Sequence, residues 1–133
     1  MALGLVALAA ARVPTLQPAE LRALRADLPG VTVYPAQARS EHLEGRVLLA
    51  FHLSRGGAPV GPRIVKADAA ELLQQQALEL LRSTTYELES HSVDPATVFH
   101  ATVIYCMDHC GDFGEYPESN SLFKFTSIPL PGH

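Results

Sequence analysis

The amino-acid sequence predicts an α+β domain: a three- or four-stranded antiparallel sheet with helices packed on one face. The chain has 133 residues, of which 47% are hydrophobic and 18% charged, as is typical of one domain with a single core. In residues 46–53, Val47, Leu49, Phe51 and Leu53 alternate with other side chains, which indicates a half-buried strand. Residues 69–83 carry apolar side chains at helical spacing, which predicts a helix packed on that sheet.

The first eleven residues, Met1 to Ala11, are uncharged and almost entirely Ala, Leu, Val and Gly. This run is too short to span a membrane, but its length fits the apolar region of a secretory signal. Ala7-Leu8-Ala9 matches the small-x-small pattern of a cleavage site, although no basic residue precedes the run. We therefore expect residues 1–11 to be a signal-like segment of an exported protein. A buried helix, or a start that lies inside a longer signal or anchor, would explain the same composition.

Residues 12–30 are predicted to form an N-terminal helix or linker. Pro18 to Leu28 has apolar residues at helical spacing after an initial proline, and Pro29-Gly30 ends this stretch. A second short helix is expected from Pro35 to Leu43, before Gly45 begins the alternating strand.

Gly56-Gly57 predicts the tight turn of a β-hairpin, because glycine accepts the positive φ angles that such turns require. The return strand is expected over Val60–Ala67. Pro59 and Pro62 cannot donate hydrogen bonds within a sheet, so the start of this strand should be irregular or lie at an edge.

Three further elements complete the expected fold. Asp68 and Glu71 resemble a capping box before the helix Ala69–Ser83. Thr97–Cys106 is rich in β-branched and aromatic residues and predicts a strand, and Leu122–Ile128 predicts a last strand.

Several of these pieces together resemble the C-terminal domain of the TonB family. The resemblance begins with Tyr34-Pro35-Ala36-Gln37-Ala38-Arg39 and continues through Leu43-Glu44-Gly45-Arg46-Val47 into the alternating strand. Gly56-Gly57 stands where the family has an Asp-Gly hairpin, and Thr97–Cys106 corresponds to the last family strand. The similar region is residues 31–106, which leaves 107–133 as a C-terminal extension with one added strand.

The resemblance implies a periplasmic protein-binding module that supports energised transport. In the family, an extended peptide of an outer-membrane transporter adds to the open edge of the sheet, a mode called β-augmentation. A complete transducer also needs an inner-membrane motor complex, and homodimerisation is a further option for an open edge. By resemblance, the partner-binding edge comprises Val98, Phe99, His100, Ala101, Thr102, Val103, Ile104 and Tyr105.

Composition and motifs argue against other functional classes. The formal net charge is −4 and no cluster of three or more basic residues occurs, which excludes nucleic-acid binding. We find no nucleophile motif, phosphate-binding glycine loop or catalytic carboxylate pair, so we expect neither an enzyme nor a cofactor. Glu41 and Glu44 are predicted to lie on the solvated surface.

Cys106 and Cys110 flank a segment that includes His109, so three reactive side chains lie close together in sequence. Export favours a disulfide between the two cysteines, which requires the chain to turn over residues 107–109. Free thiols and a metal site shared with His109 remain alternatives. The second functional hypothesis is accordingly a small exported metal-binding or thiol-redox protein that uses these three residues.

The C-terminal strand Leu122–Ile128 must find a partner or expose its apolar side chains to water. The edge of Thr97–Cys106 is the nearest candidate, and the loop Met107–Ser121 is long enough for an antiparallel return. Such a strand would occupy the groups that a transporter peptide needs.

Overall fold

A computed structural model describes residues 12–30 and 34–127, and the signal-like segment 1–11 lies outside this range. Short 3₁₀ helices span Pro18–Ala23 and Cys110–Asp112. The α-helices are α1 (Ala36–Ser40) and α2 (Glu71–Arg82). The strands are β1 (Ala26–Asp27), β2 (Gly45–Leu53), β3 (Pro59–Asp68), β4 (Thr85–Tyr86), β5 (Phe99–Cys106) and β6 (Ser121–Thr126). The main sheet has the order β3-β2-β5-β6, and β1 pairs with β4, so the predicted α+β class is confirmed.

The predicted hairpin joins β2 to β3 in antiparallel pairing. Gly57 takes φ +85° in the turn, and a Cβ there would lie 1.9 Å from the carbonyl oxygen of Tyr86. β3 is an outer strand whose register shifts twice against β2, and Gly61 within it takes φ +60°. The two prolines therefore mark an irregular edge strand, as predicted.

The core lies between the main sheet and α2. The alternating residues of β2 face this core, together with one face of α2. The N-terminal segment also packs here, since Leu16 and Leu21 are fully buried in the same cluster. From β2 and α2 the core includes Val47, Leu49, Phe51, Leu53, Leu73, Ala77, Leu78, Leu80 and Leu81.

Local details differ from two predictions. Asp68 does not cap α2: β3 continues through this residue, and its carboxylate accepts a hydrogen bond from Arg46 at 3.1 Å, so Ala70 is the N-cap. The helix predicted over Pro18–Leu28 ends at Ala23, because the following residues form β1. Pairing with β4 overrides the helical spacing there.

The C-terminal strand β6 pairs with β5 in parallel, so the expected antiparallel return is wrong. The register runs from Ala101 opposite Ser121 to Cys106 opposite Thr126. Residues 107–120, called the crossover loop below, cross the sheet face opposite α2 and bring the chain back to the end where β5 begins. A parallel neighbour requires such a crossover connection. Ile128, the predicted end of the strand, lies outside the described residues.

Candidate functional site at the edge of β5

The strand predicted to bind a partner is the third of the four strands in the main sheet. Its core-facing residues are Phe99, Ala101, Val103 and Tyr105, whereas His100, Thr102 and Ile104 face the crossover loop and Val98 precedes the strand. β2 pairs along one side of β5 and β6 along the other. The edge that the resemblance leaves open is therefore occupied, because the apolar C-terminal segment pairs with it.

Aromatic packing holds β6 against this edge from the core side. Phe123 is 7% exposed, and its ring centroid lies 6.4 Å from that of Tyr86. Phe125 packs on Tyr105 with centroids 5.5 Å apart. The Tyr86 hydroxyl donates to Oγ of Ser121 at 2.9 Å; burial raises the pKa of Tyr86 to about 12, so this donor keeps its proton.

The crossover loop covers the opposite face of the same edge. Tyr116 is buried, and its backbone N–H donates to Oγ1 of Thr102 at 3.3 Å. The guanidinium of Arg46 lies 4.0 Å from the Tyr116 ring centroid, a cation–π contact. Asn120 forms a reciprocal pair with His100: its N–H donates to the His100 carbonyl at 2.7 Å, and its Oδ1 accepts from the His100 N–H at 2.8 Å. The second half of the loop is thus fixed to β5 at Thr102 and His100.

The Tyr-Pro motif packs against the end of β5. The hydroxyl of Tyr34 donates to the carbonyl oxygen of Leu43, and its ring meets Tyr105 edge-on with centroids 5.4 Å apart. Pro35 is the N-cap of α1, and Ala38 is fully buried beneath it. These contacts explain why the motif needs an aromatic residue followed by a short helix with a small buried side chain.

The chain turns sharply after β5, where Cys106 and Cys110 form a disulfide with Cα atoms 5.0 Å apart. Inside this turn, Oε2 of Glu44 accepts the backbone N–H groups of residues 107, 108 and 109 at 2.6, 3.1 and 3.0 Å. Its Oε1 lies 2.6 Å from Nδ1 of His109. Burial raises the pKa of Glu44, but the hydrogen bonds from Met107 and His109 outweigh it and hold this pKa at about 2.

The prediction that Glu44 is a solvated surface residue is therefore wrong, because its side chain is only 9% exposed. The sequence feature that marked this position was the Glu-Gly pair itself. A Cβ on Gly45 would lie 2.3 Å from the carbonyl oxygen of Asp68, so this glycine permits a close approach beside the carboxylate. The motif thus places one buried acceptor and one close backbone contact at the start of β2.

The metal-binding form of the second hypothesis gains no support from this arrangement. The two sulfur atoms are bonded to each other, so neither is a thiolate ligand, and His109 is engaged by Glu44. Within residues 12–30 and 34–127, no group of three or more His, Cys, Asp or Glu side chains is placed to hold a metal ion.

The family model for the C-terminal region of the Gram-negative bacterial TonB protein matches residues 31–105. The chain belongs to this TonB C-terminal family. A search of curated proteins finds no match. The matched range ends within β5, so the crossover loop and β6 of this TonB-family domain lie beyond it. In the part of the chain that the structure describes, no helix is both long and apolar enough to cross a membrane.

Proposed function

We propose that this TonB-family domain is a periplasmic protein-binding module that docks on outer-membrane transporters to support energised transport. The docking edge is that of β5, Val98–Tyr105, and the partner is an extended transporter segment that adds to the sheet as a further strand. One observation carries the assignment of the edge. A segment from outside the family-matched range, β6, already pairs with β5 over six residues, so this edge can accept an added strand.

The opposite edge of the sheet is a poor docking strand. Pro59 and Pro62 in β3 lack N–H groups, and the shifted register and the left-handed Gly61 interrupt its hydrogen-bonding pattern. β5 contains no proline and pairs in an unbroken register with both neighbours. Main-chain pairing, which supplies affinity in β-augmentation, therefore favours the β5 side.

The proposal also implies further partners. An energy-transducing role requires an inner-membrane motor complex, which acts elsewhere than on the docking edge. A second copy of the chain could compete for the same edge, so the oligomeric state is measured alongside binding.

The test is binding of synthetic peptides that cover the periplasm-facing segments of outer-membrane transporters. We would titrate them against the full chain and against Phe123→Ala, in which β6 is less firmly held, and follow fluorescence anisotropy. A matched control is the same peptide with N-methyl groups on alternate residues. Methylation on one set of alternating amides should abolish binding and methylation on the other should not, because strand pairing uses every second N–H on each side. Absence of binding to both proteins, or equal binding of both methylated forms, contradicts the proposal.

A further inference from the structure

We infer that β6 is a resident ligand of the docking edge, so that the domain rests in a self-occupied state and opens when β6 leaves. This inference rests on the proposed function, because it assigns β6 the place that the transporter segment would take. In the self-occupied state the edge is blocked by β6, and the contacts of β6 specify the chemistry of a segment that can replace it.

The strands of the main sheet are unequally buried. In β2 nearly every side chain is buried, whereas in β6 exposed residues alternate with buried ones. Phe123 is the large side chain of β6 that is fully inserted in the core, while Leu122 on the other face is 40% exposed. A strand with few buried apolar contacts opens at lower cost than the whole domain unfolds.

The crossover loop is irregular apart from one 3₁₀ turn. Besides the Glu44, Tyr116 and Asn120 contacts described above, two ion pairs tie its second half to the rest of the domain, Arg22 with Glu115 and Lys66 with Glu118, both at 2.5 Å. Most of these side chains are substantially exposed, and such pairs contribute little to stability. Release of β6 must therefore break the Asn120–His100 hydrogen bonds, but these ion pairs add little to its cost. The crossover loop contains no regular element besides the one 3₁₀ turn.

The contacts that β6 makes with the core define the kind of segment that can replace it. Ser121 places a small hydroxyl side chain against the buried Tyr86 hydroxyl. Two and four residues later, Phe123 and Phe125 pack on Tyr86 and Tyr105. A competing partner is thus an extended segment parallel to β5, with a small polar residue followed by large apolar residues at the second and fourth positions after it.

Tethering makes β6 a strong competitor. A segment joined by a short flexible loop acts at an effective concentration on the order of millimolar. A free peptide of equal intrinsic affinity must exceed that concentration to bind. Because apparent affinity scales with the open fraction, a change that loosens β6 tenfold should tighten peptide binding by about tenfold.

The probe is a labelled peptide with the sequence of residues 121–126, used with the full chain. Phe123→Ala removes the buried anchor and should tighten binding of this peptide by about tenfold or more. Leu122→Ala, on the exposed face of the same strand, should change binding by less than about twofold, since its side chain is only partly buried. Equal effects of the two substitutions would overturn the inference.

A cross-link gives the converse test. Thr102 and Leu122 are directly paired, so Thr102→Cys with Leu122→Cys can lock β6 onto β5 by a disulfide. The locked chain should not bind the probe, and a reductant should restore binding. The wild-type chain is treated with the same reductant as a control, because the reductant also acts on the native disulfide Cys106–Cys110. A locked chain that binds the probe as well as the unlocked chain contradicts self-occupancy.

Hydrogen exchange on the wild-type chain keeps the test independent of whether Phe123→Ala folds. The amides of β6 should exchange faster than those of β2; equal protection would mean that β6 never opens separately, which overturns the inference. The transporter peptides separate the two proposals. Probe binding without any transporter binding refutes the proposed function alone. Transporter binding to the wild-type chain that Phe123→Ala does not tighten refutes self-occupancy alone.

Discussion

Replacement of Glu44 by glutamine tests whether this buried carboxylate organises the turn after β5. Its two oxygen atoms receive three backbone N–H groups and the His109 ring, and its side chain is 9% exposed. Glutamine keeps the shape of the side chain, but it loses the negative charge and replaces one acceptor with an NH₂ group that faces donors. The substitution therefore removes charge-assisted hydrogen bonds without creating a cavity.

The pKa of Glu44 sets the size of the effect. It lies at about 2 in the folded chain against an ordinary value of 4.5, which at 1.36 kcal/mol for each pH unit corresponds to roughly 3 kcal/mol of stability at neutral pH. Because the folded pKa is the lower one, this contribution is present above pH 4.5 and is lost as the pH falls towards 2. Linkage leaves somewhat less than half of it at pH 3.

The assay is urea denaturation at pH 7 and pH 3 of the wild-type chain, Glu44→Gln and the exposed control Glu41→Gln. We expect Glu44→Gln to lower the free energy of unfolding by about 2–3 kcal/mol at pH 7 and by about half as much at pH 3. Glu41→Gln should change it by less than about 0.5 kcal/mol at either pH. A deficit for Glu44→Gln that is the same at both pH values, or as small as that of the control, would refute the role assigned to the carboxylate.

Three further predictions concern the fold. Phe51→Asp should prevent folding, because burial of an unpaired carboxylate costs several kcal/mol. His52 is only half-buried, so His52→Asp should cost about 1 kcal/mol. Circular-dichroism melts in which His52→Asp is the more damaging substitution would contradict the strand register. Gly57→Ala should destabilise the domain by about 3 kcal/mol or more in the same denaturation assay, since its Cβ would meet the Tyr86 carbonyl. Gly61 also has a positive φ, but a Cβ there meets no neighbouring atom, so Gly61→Ala should cost only about 1 kcal/mol. Loss of the disulfide should lower stability by about 2 kcal/mol, as the closed loop is short, and alkylation of the native protein should find no free thiol.

The sequence alone determined the elements whose signals are local. The alternation in β2 and the helical spacing in α2 record which side chains face the core, because the period of a strand or helix is fixed by its backbone geometry. Gly56-Gly57 identified the hairpin, since few residues accept the backbone angles of a tight turn. The Tyr-Pro and Glu-Gly motifs were sufficient to indicate the family to which the chain belongs.

The direction of β6 and the role of Glu44 were decided only by the tertiary structure. The apolar pattern of β6 predicts that this strand must be covered by a neighbour. Its parallel pairing, however, depends on the course of the crossover loop over the far face of the sheet. Glu44 meets its partners across 63 to 65 residues of chain. The Glu-Gly pair marks this position, but it does not identify the partners, because a contact across such a separation leaves no periodic pattern in the neighbouring residues.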